Sequence, residues 1–249
     1  MLETERHHLI LKMLQHNQTV RLQDIATETG SSESTIRRDL IELERQKKLK
    51  RIHGGAAKLQ GKLQESSMSE KTSKNLQTKQ HIGQIAASYI EEGDTVYLDA
   101  GSTVFEMIPF LPPSIIVVTN GISHTDALLA RGCKTILTGG IAKPSTKALI
   151  GRGAVHSLQH YRFDKCFLGV NGIHPDYGFT TPDEEEAQIK ELAIQLSREA
   201  YILADHSKFQ EVAFAKFADL TQAIVVTTSE SFESLQAFPK YTKLEVIQE

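Results

Sequence analysis

Six strand-length segments are apolar with no in–out alternation: Thr95–Leu98, Ile115–Val118, Thr135–Leu137, Lys165–Val170, Tyr201–Ala204 and Ala223–Thr227. A strand of that kind is covered on both faces, so it belongs in a parallel sheet between layers of helix. The stretches between them read as helices over Ile82–Ile90, Val104–Phe110, from about Ser123, and over Glu184–Ala200. The fold expected for this part is α/β with a largely parallel sheet.

Polar residues collect where these strands end. Asp99, Ala100, Gly101, Ser102 and Thr103 follow the first, Thr119, Asn120 and Gly121 the second, and Thr138, Gly139 and Gly140 the third. Asn171 and Gly172 follow the fourth, with Asp205 and Lys208 after the fifth. In open α/β sheets, ligands bind beyond the carboxyl ends of the strands. A Gly-Ser-Thr turn opening a helix offers backbone N–H groups, hydroxyls and a positive dipole end, which together suit a phosphate. One glycine at a strand end is ordinarily just a tight turn. Several such ends in one domain point to a ligand, and a phosphorylated small molecule fits the donors. No GxGxxG is present, which argues against a dinucleotide.

The chain before residue 60 has another character. Leu9, Ile10, Met13 and Leu14 share one helical face, and Asn17-Gln18 breaks that helix. A second short helix, RLQDIATET, runs to Gly30, a natural helix terminator. Ser31 and Ser32 are candidate N-caps of a third, whose Ile36, Leu40 and Leu43 face inward. Its opposite face carries Ser34, Thr35, Arg37 and Arg38, donors suited to base edges and phosphates. Arg45, Lys47, Lys48, Lys50 and Arg51 follow, then His53, Gly54 and Gly55, a basic hairpin or wing. Helix, short helix, turn and basic-faced helix is the order of a helix-turn-helix, here with a wing. An amphipathic helix with a charged end is the plainer alternative.

Charge divides the same way. Residues 1–62 hold 12 Lys and Arg against 8 Asp and Glu, a net +4, whereas residues 63–249 carry −7. Basic and acidic modules in one chain suit a nucleic-acid binder joined to something else. The organisation expected is a DNA-binding domain over 1–57, a polar linker over 58–80 and a ligand-binding domain over 81–249. No apolar run reaches the roughly 18 residues of a membrane span, and the N-terminus carries no hydrophobic signal region, so a cytoplasmic protein is expected. Cys133 and Cys166 are expected to be buried thiols. The ten histidines show no metal-ligand spacing, so no metal is expected, and His7-His8 reads as helix surface.

TIRRDL over 35–40 with HGGA over 53–56, alongside Glu5-Arg6, Asp24-Ile25-Ala26, Gly30 and Ser32, resembles the DNA-binding domain of the DeoR family of bacterial transcriptional regulators. Lys47 and Lys48 depart from it, standing where the family has glycine and an aliphatic residue. Residues 79–228 resemble that family's effector domain, which is similar to ribose-5-phosphate isomerase and binds sugar phosphates. The matching positions run from Asp99–Thr103 through Phe163-Asp164-Lys165, Gly169, Glu186-Ala187 and Lys190 to Ala204–Lys208. Gln210 stands where glycine is usual, and Thr78 where glutamate is common.

The resemblance implies roles. Ser102, Thr103 and the Gly101 amide would cradle phosphate, Lys208 would neutralise it, and Asp99, Asn120 and Asp205 would bind sugar hydroxyls. Thr119, Gly139, Gly140, Asn171, Gly172 and Lys190 complete the expected effector site, although Glu186 and Lys190 equally suit a surface ion pair at i, i+4. Ser32, Ser34, Thr35, Arg37, Arg38, Lys50, Arg51, His53 and Gly54 are the expected DNA-contacting set.

A working isomerase would need a carboxylate base beside a carbonyl. The acidic motif of the isomerase would align with Gly169–Ile173, where no carboxylate stands. A DNA-binding repressor without cofactor, acting as a homo-oligomer on operator half-sites, is therefore the expected function, with an isomerase-like enzyme the alternative. STKALIG, the segment 161–187 and ADHSKF resemble fructose-operon repressors of Gram-positive bacteria. That implies a ketose phosphate, fructose 1-phosphate foremost, as inducer; fructose 6-phosphate and tagatose phosphates stay open.

Overall fold

The computed structural model describes residues 2–16, 19–46, 48–52, 54–58, 67–229, 238 and 243–247. They form two compact units, Met1–Gly61 and Lys62–Glu249.

The smaller unit runs α1 (Glu3–His16), β1 (Thr19–Arg21), α2 (Leu22–Thr29), α3 (Glu33–Arg45), β2 (Leu49–Ile52) and β3 (Gly55–Lys58). Its core includes Ile10, Leu14, Ile25, Ile36, Leu40 and Leu43 from the inward faces of the three helices, joined by Leu49 of β2. Gly30 ends α2 in the left-handed region at φ 62°, with its N–H on the carbonyls of Ala26 and Thr27. The N-cap of α3 is Ser32, whose hydroxyl accepts the Thr35 N–H.

The wing is a hairpin of β2 and β3, and β1 adds to β3 to make a three-stranded antiparallel sheet. That third strand is not evident in the sequence. It explains one glycine: a Cβ on Gly55 would stand 2.1 Å from the Val20 carbonyl oxygen, so β1 pairs closely only against a bare backbone.

The larger unit opens with α4 (Met68–Ser73) and α5 (Leu76–Ser88). The expected linker is thus helical towards its end, over residues 68–73 and 76–80, with Met68 and Lys79 buried in this unit; residues 59–66 lie outside the described set. Then come β4 (Thr95–Leu98), α6 (Ser102–Phe105), a 3₁₀ turn at Ile108–Phe110, β5 (Ile116–Thr119), α7 (Ile122–Arg131) and β6 (Lys134–Leu137). A hairpin, β7 (Ile141–Lys143) with β8 (Ala148–Ile150), leads to α8 (Arg152–Gln159) and β9 (Phe163–Gly169). Next are β10 (Gly172–His174), β11 (Gly178–Thr181), α9 (Glu184–Gln195), β12 (Ser197–Leu203) and a 3₁₀ turn at His206–Lys208. The unit closes with β13 (Ala215–Ala218), β14 (Ile224–Thr228) and β15 (Leu244–Ile247).

Seven strands form one sheet in the order β15-β14-β12-β9-β4-β5-β6, and every pairing is parallel. The apolar strands are buried between two clusters, one around Phe163, Leu168, Ile189 and Val225, the other around Ile82, Val96, Leu98 and Phe167. Two expectations change. The helix over Val104–Phe110 is instead the single turn α6 followed by a 3₁₀ turn. The helix expected to reach Ala200 stops at Gln195, because Ser197–Leu203 pairs with Phe163–Gly169 along its length. Here sheet pairing overrides the helical preference of Arg198, Glu199 and Ala200.

Candidate functional site

In the smaller unit, α3 is held from below and open above. Asp39, inside the TIRRDL run, is buried; Arg6 Nη2 donates to its Oδ1 at 2.9 Å, and His7 Nε2 lies 3.2 Å from the same oxygen. Burial works against the charged carboxyl, but Arg6 and His7 outweigh it and hold Asp39 below the ordinary carboxylate range. His7 is therefore not simple helix surface. Glu3, His7 and Asp39 bring three ligand-type atoms within 4.8 Å of one another, but the Arg6 guanidinium is already on Asp39.

The outward residues stay in solvent. Ser34, Arg37 and Arg38 are exposed, and Arg37 makes only a loose 3.6 Å pair with Glu33. Ser32 is committed to the helix start, sharing 2.9 Å hydrogen bonds with Ser34 and Thr35. Arg51 in the wing donates to Glu44 at 2.6 Å through Nε and at 2.8 Å through its backbone N–H. Gly54 takes φ 77° at the hairpin tip. His53 and the side chain of Lys50 lie outside the described residues.

In the larger unit, parallel pairing puts all the strand C-termini on one edge. From β4 the chain moves outward to β5 and β6, then returns on the other side to β9 and β12. The switch point therefore lies between β4 and β9, where an α/β sheet opens a crevice. Gly101 and Gly169 face each other there: a Cβ on Gly101 would meet the Gly169 Cα at 3.3 Å.

Lys190 reaches this point from α9. Its ammonium donates to Asp99 Oδ2 and, at 3.0 Å, to the Gly169 carbonyl, while the Gly169 N–H donates to the same Asp99 oxygen at 3.1 Å. The i, i+4 pair with Glu186 does not form. Glu186 instead accepts from Thr146 at 2.8 Å and from Lys143 at 3.1 Å, and Lys143 also meets Asp183 at 2.7 Å. Asp183 caps α9 by accepting the N–H groups of Glu185 and Glu186.

Several other expected ligand residues have structural work. Asn120 Oδ1 accepts the Ala100 N–H at 3.1 Å, and its Nδ2 donates to the Leu149 carbonyl at 3.3 Å. Thr119 Oγ1 accepts the Gly121 N–H at 3.0 Å. Asn171 accepts from Thr181 at 3.2 Å. Gly139 and Gly140 pack against Gly153, and a Cβ on Gly140 would stand 2.5 Å from the Ile150 carbonyl oxygen. Gly172 is pressed against the Glu211 carbonyl in the same way, at 2.4 Å.

Ser102 and Thr103 differ. Both residues are buried at the switch point, and among the described residues no hydrogen bond ties down either hydroxyl, although neither hydroxyl oxygen is fully enclosed. Since α6 is one turn long, these hydroxyls and nearby cations, rather than a helix dipole, are what could hold an anion. His124 sits buried beneath this loop, beside the Phe105 ring, and burial lowers its pKa to about 4, leaving it neutral.

The cations include one not evident in the sequence. Lys79 on α5 is 4% exposed and donates to the Lys71 carbonyl. Burial lowers its pKa to about 8, with Lys208 and Lys71 adding to that and Asp205 and Glu106 opposing it. Gly83, one helical turn on, lets α5 approach: a Cβ there would lie 2.7 Å from the backbone carbon of Glu106. Lys208 is likewise pushed down, first by burial, while the Asp205 carboxylate opposes. Asp205 caps the 3₁₀ turn through the Ser207 N–H at 2.9 Å. Burial works against its charge, yet Lys208, Ser207 and Lys79 hold its pKa below the ordinary value. The signal in the sequence is a lysine in the apolar stripe formed with Ile82, Gly83 and Ala86.

Cys133 and Cys166 are buried and unlinked. Among the described residues no helix is long and apolar enough to cross a membrane.

Known proteins align with both units. Residues 6–61 match the DeoR-like helix-turn-helix domain, and residues 74–230 match the DeoR C terminal sensor domain. The chain is 46% identical over 249 residues to the uncharacterized HTH-type transcriptional regulator FruR of Bacillus subtilis (strain 168), covering 99% of each. It is 34% identical to the HTH-type transcriptional repressor GlcR of the same organism, over 92% of this chain and 89% of that one. The lactose phosphotransferase system repressor of Streptococcus mutans is 32% identical, over 98% and 99%. Among solved structures, ribose 5-phosphate isomerase A of Methanocaldococcus jannaschii aligns at a TM-score of 0.41 and 14% identity over 54% of each chain. The full-length sorbitol operon regulator SorC of Klebsiella pneumoniae aligns at a TM-score of 0.41 and 13% identity, over 97% and 96%. With a matching helix-turn-helix, a matching sensor domain and regulators aligned along its whole length, this chain belongs to the DeoR family of transcriptional regulators, not to the enzymes.

Proposed function

We propose that this regulator represses a sugar-utilisation operon and leaves its operator when a phosphorylated sugar, fructose 1-phosphate first among candidates, binds the sensor unit. The observation that carries the reading is that the strand-end edge holds both the Ser102 and Thr103 hydroxyls, which no hydrogen bond ties down among the described residues, and the cations Lys79 and Lys208. Hydroxyls and ammonium groups are donors, as a phosphate requires. The polar groups of Asp205 and Asp99 accept, as sugar hydroxyls require. The fructose assignment draws on the likeness to FruR.

On the DNA side, Ser34, Thr35, Arg37 and Arg38 on the open face of α3 suit the major groove, and the wing carrying Arg51 and Gly54 suits the adjacent backbone. A homo-oligomer would set two such helices on repeated half-sites. Release requires the effector to bind the DNA-free form more tightly, with a coupling of about 1–3 kcal/mol.

The test is thermal unfolding of the full chain against fructose 1-phosphate, fructose 6-phosphate, tagatose 6-phosphate and unphosphorylated fructose. A ligand of the folded state raises Tm with its concentration. The reading expects a phosphate-dependent shift, lost in S102A/T103A, and release of promoter DNA by the same compound. No shift with any phosphorylated sugar would overturn it.

A further inference from the structure

The helix α4 stands between the smaller unit and the strand-end edge in sequence, and it is fastened to that edge at both ends. At its start, the Met68 N–H donates to the Ser145 carbonyl at 2.8 Å, in the turn between β7 and β8, and the Met68 side chain is buried. At its end, the buried Lys79 ammonium donates to the Lys71 carbonyl. Asn75 then turns the chain into α5 with φ 53°, a left-handed conformation that asparagine tolerates better than most residues.

This fastening brings more positive charge to the edge. The charges of Lys71 and Lys74 reach Lys208 strongly enough to disfavour its protonated form, and Lys71 acts likewise on Lys79. The carboxylates facing the same pair are Asp205, Glu106 and Glu211, and Asp205 already accepts two hydrogen bonds from Ser207. The ammonium groups of Lys71, Lys74, Lys79 and Lys208 are thus linked electrostatically, and α4 and α5, which carry three of them, both pack on α6, the turn that carries Ser102 and Thr103. Like charges gathered at a partly buried edge disfavour one another, and a dianion among them adds an attraction to each that offsets their mutual repulsion.

We propose that Lys71 and Lys74 complete the phosphate subsite from the α4 side, so that a bound phosphorylated effector clamps residues 67–75, the segment leading from the DNA-binding unit. The inference rests on the sensor unit taking a phosphorylated sugar and adds how that ligand is felt upstream. Lys71 acts here through its ammonium, while its carbonyl keeps Lys79 in place whatever the side chain.

The experiment uses the full chain. Affinities for fructose 1-phosphate, fructose 6-phosphate and inorganic phosphate are measured by calorimetry in the parent, K71Q/K74Q and K208Q, with amide hydrogen exchange over 67–75. The double variant is expected to melt as the parent does without ligand and to lose affinity about tenfold or more, as loss of charge-assisted contacts implies. Exchange over 67–75 is expected to slow on ligand addition in the parent and not in the double variant. Unchanged affinity in K71Q/K74Q while K208Q loses it, or no ligand-dependent protection of 67–75 in the parent, overturns the α4 assignment and leaves the effector reading standing. If the folded parent binds none of the three probes, both fall together.

Discussion

The ammonium of Lys190 donates to the carboxylate of Asp99 across 91 residues of sequence, and the Gly169 carbonyl takes a second of its protons. Both side chains are only 6% exposed, so each neutralises a charge the other could not leave buried.

Removing one partner should cost far more than removing both. Lys190→Met is expected to destabilise the larger unit by about 3–5 kcal/mol, the cost of an uncompensated buried charge. Adding Asp99→Asn should restore more than half of it, because no ion is then left unpaired. Urea unfolding of the two single variants and the double variant checks this. Equal, additive losses would mean the pair is not coupled.

Within TIRRDL the two kinds of residue separate. Asp39→Ala removes the buried carboxylate that Arg6 and His7 share, at about 2–4 kcal/mol of stability in the smaller unit. Arg38→Ala, at an exposed position, should leave stability within about 0.5 kcal/mol while operator affinity falls and its salt dependence flattens. Chemical denaturation and DNA titration at two salt concentrations check both. Wild-type operator binding by Arg38→Ala would remove that residue from the DNA-facing set.

Gln210 holds φ 62°, where the family usually has glycine. A side chain in the left-handed region costs about 1 kcal/mol or more, partly offset because glycine gains freedom in the unfolded chain. Gln210→Gly is therefore expected to raise stability by about 0.5 kcal/mol, read as an upward shift of Tm. A downward shift would show that the Gln210 side chain contributes more than its backbone strain costs.

If the proposed phosphate subsite includes Lys79, effector binding is expected to depend on pH with a defined sign. Its pKa in the folded chain is lowered by burial to about 8 from 10.5, so the free sensor begins to lose this proton near pH 8. A phosphate dianion requires the charged form, so affinity should fall as pH rises above about 8, by up to tenfold per unit for one proton taken up. Between about 8 and 10.5 the unfolded chain binds this proton and the folded chain does not, so stability without ligand rises with pH there. Calorimetry in two buffers of different ionisation heat measures the uptake. Lys79→Met should abolish it.

Much of this organisation is legible in the sequence, for physical reasons that also mark where it stops. Strands such as Ile116–Thr119 and Ile224–Thr228 are apolar because both faces are covered, and no other element length explains them. Ile36, Leu40 and Leu43 announce the inner face of α3 by spacing alone. Strands of three or four residues, such as Thr19–Arg21 and Ile141–Lys143, are too short to carry a period and exist only through their partners. At the candidate site, residue types named the edge but not the pairings. Lys190 turns to Asp99 rather than Glu186 because Lys143 and Thr146, distant in sequence, occupy Glu186. Lys79 is hidden in a polar stretch, and only its place in the stripe of Ile82, Gly83 and Ala86 marks it as buried.

The single reversal of strand order between β4 and β9 also governs when the regulator can first respond. The walls of the crevice come from segments that leave the ribosome far apart in time, Asp99 and Ser102 early, Lys190 and Lys208 late. Contacts of such separation form last in folding, because their loop-closure entropy is compensated only after the intervening chain has collapsed. A nascent or partly folded chain can therefore complete its small helical unit while still deaf to metabolite, and responsiveness arrives only with the finished sheet.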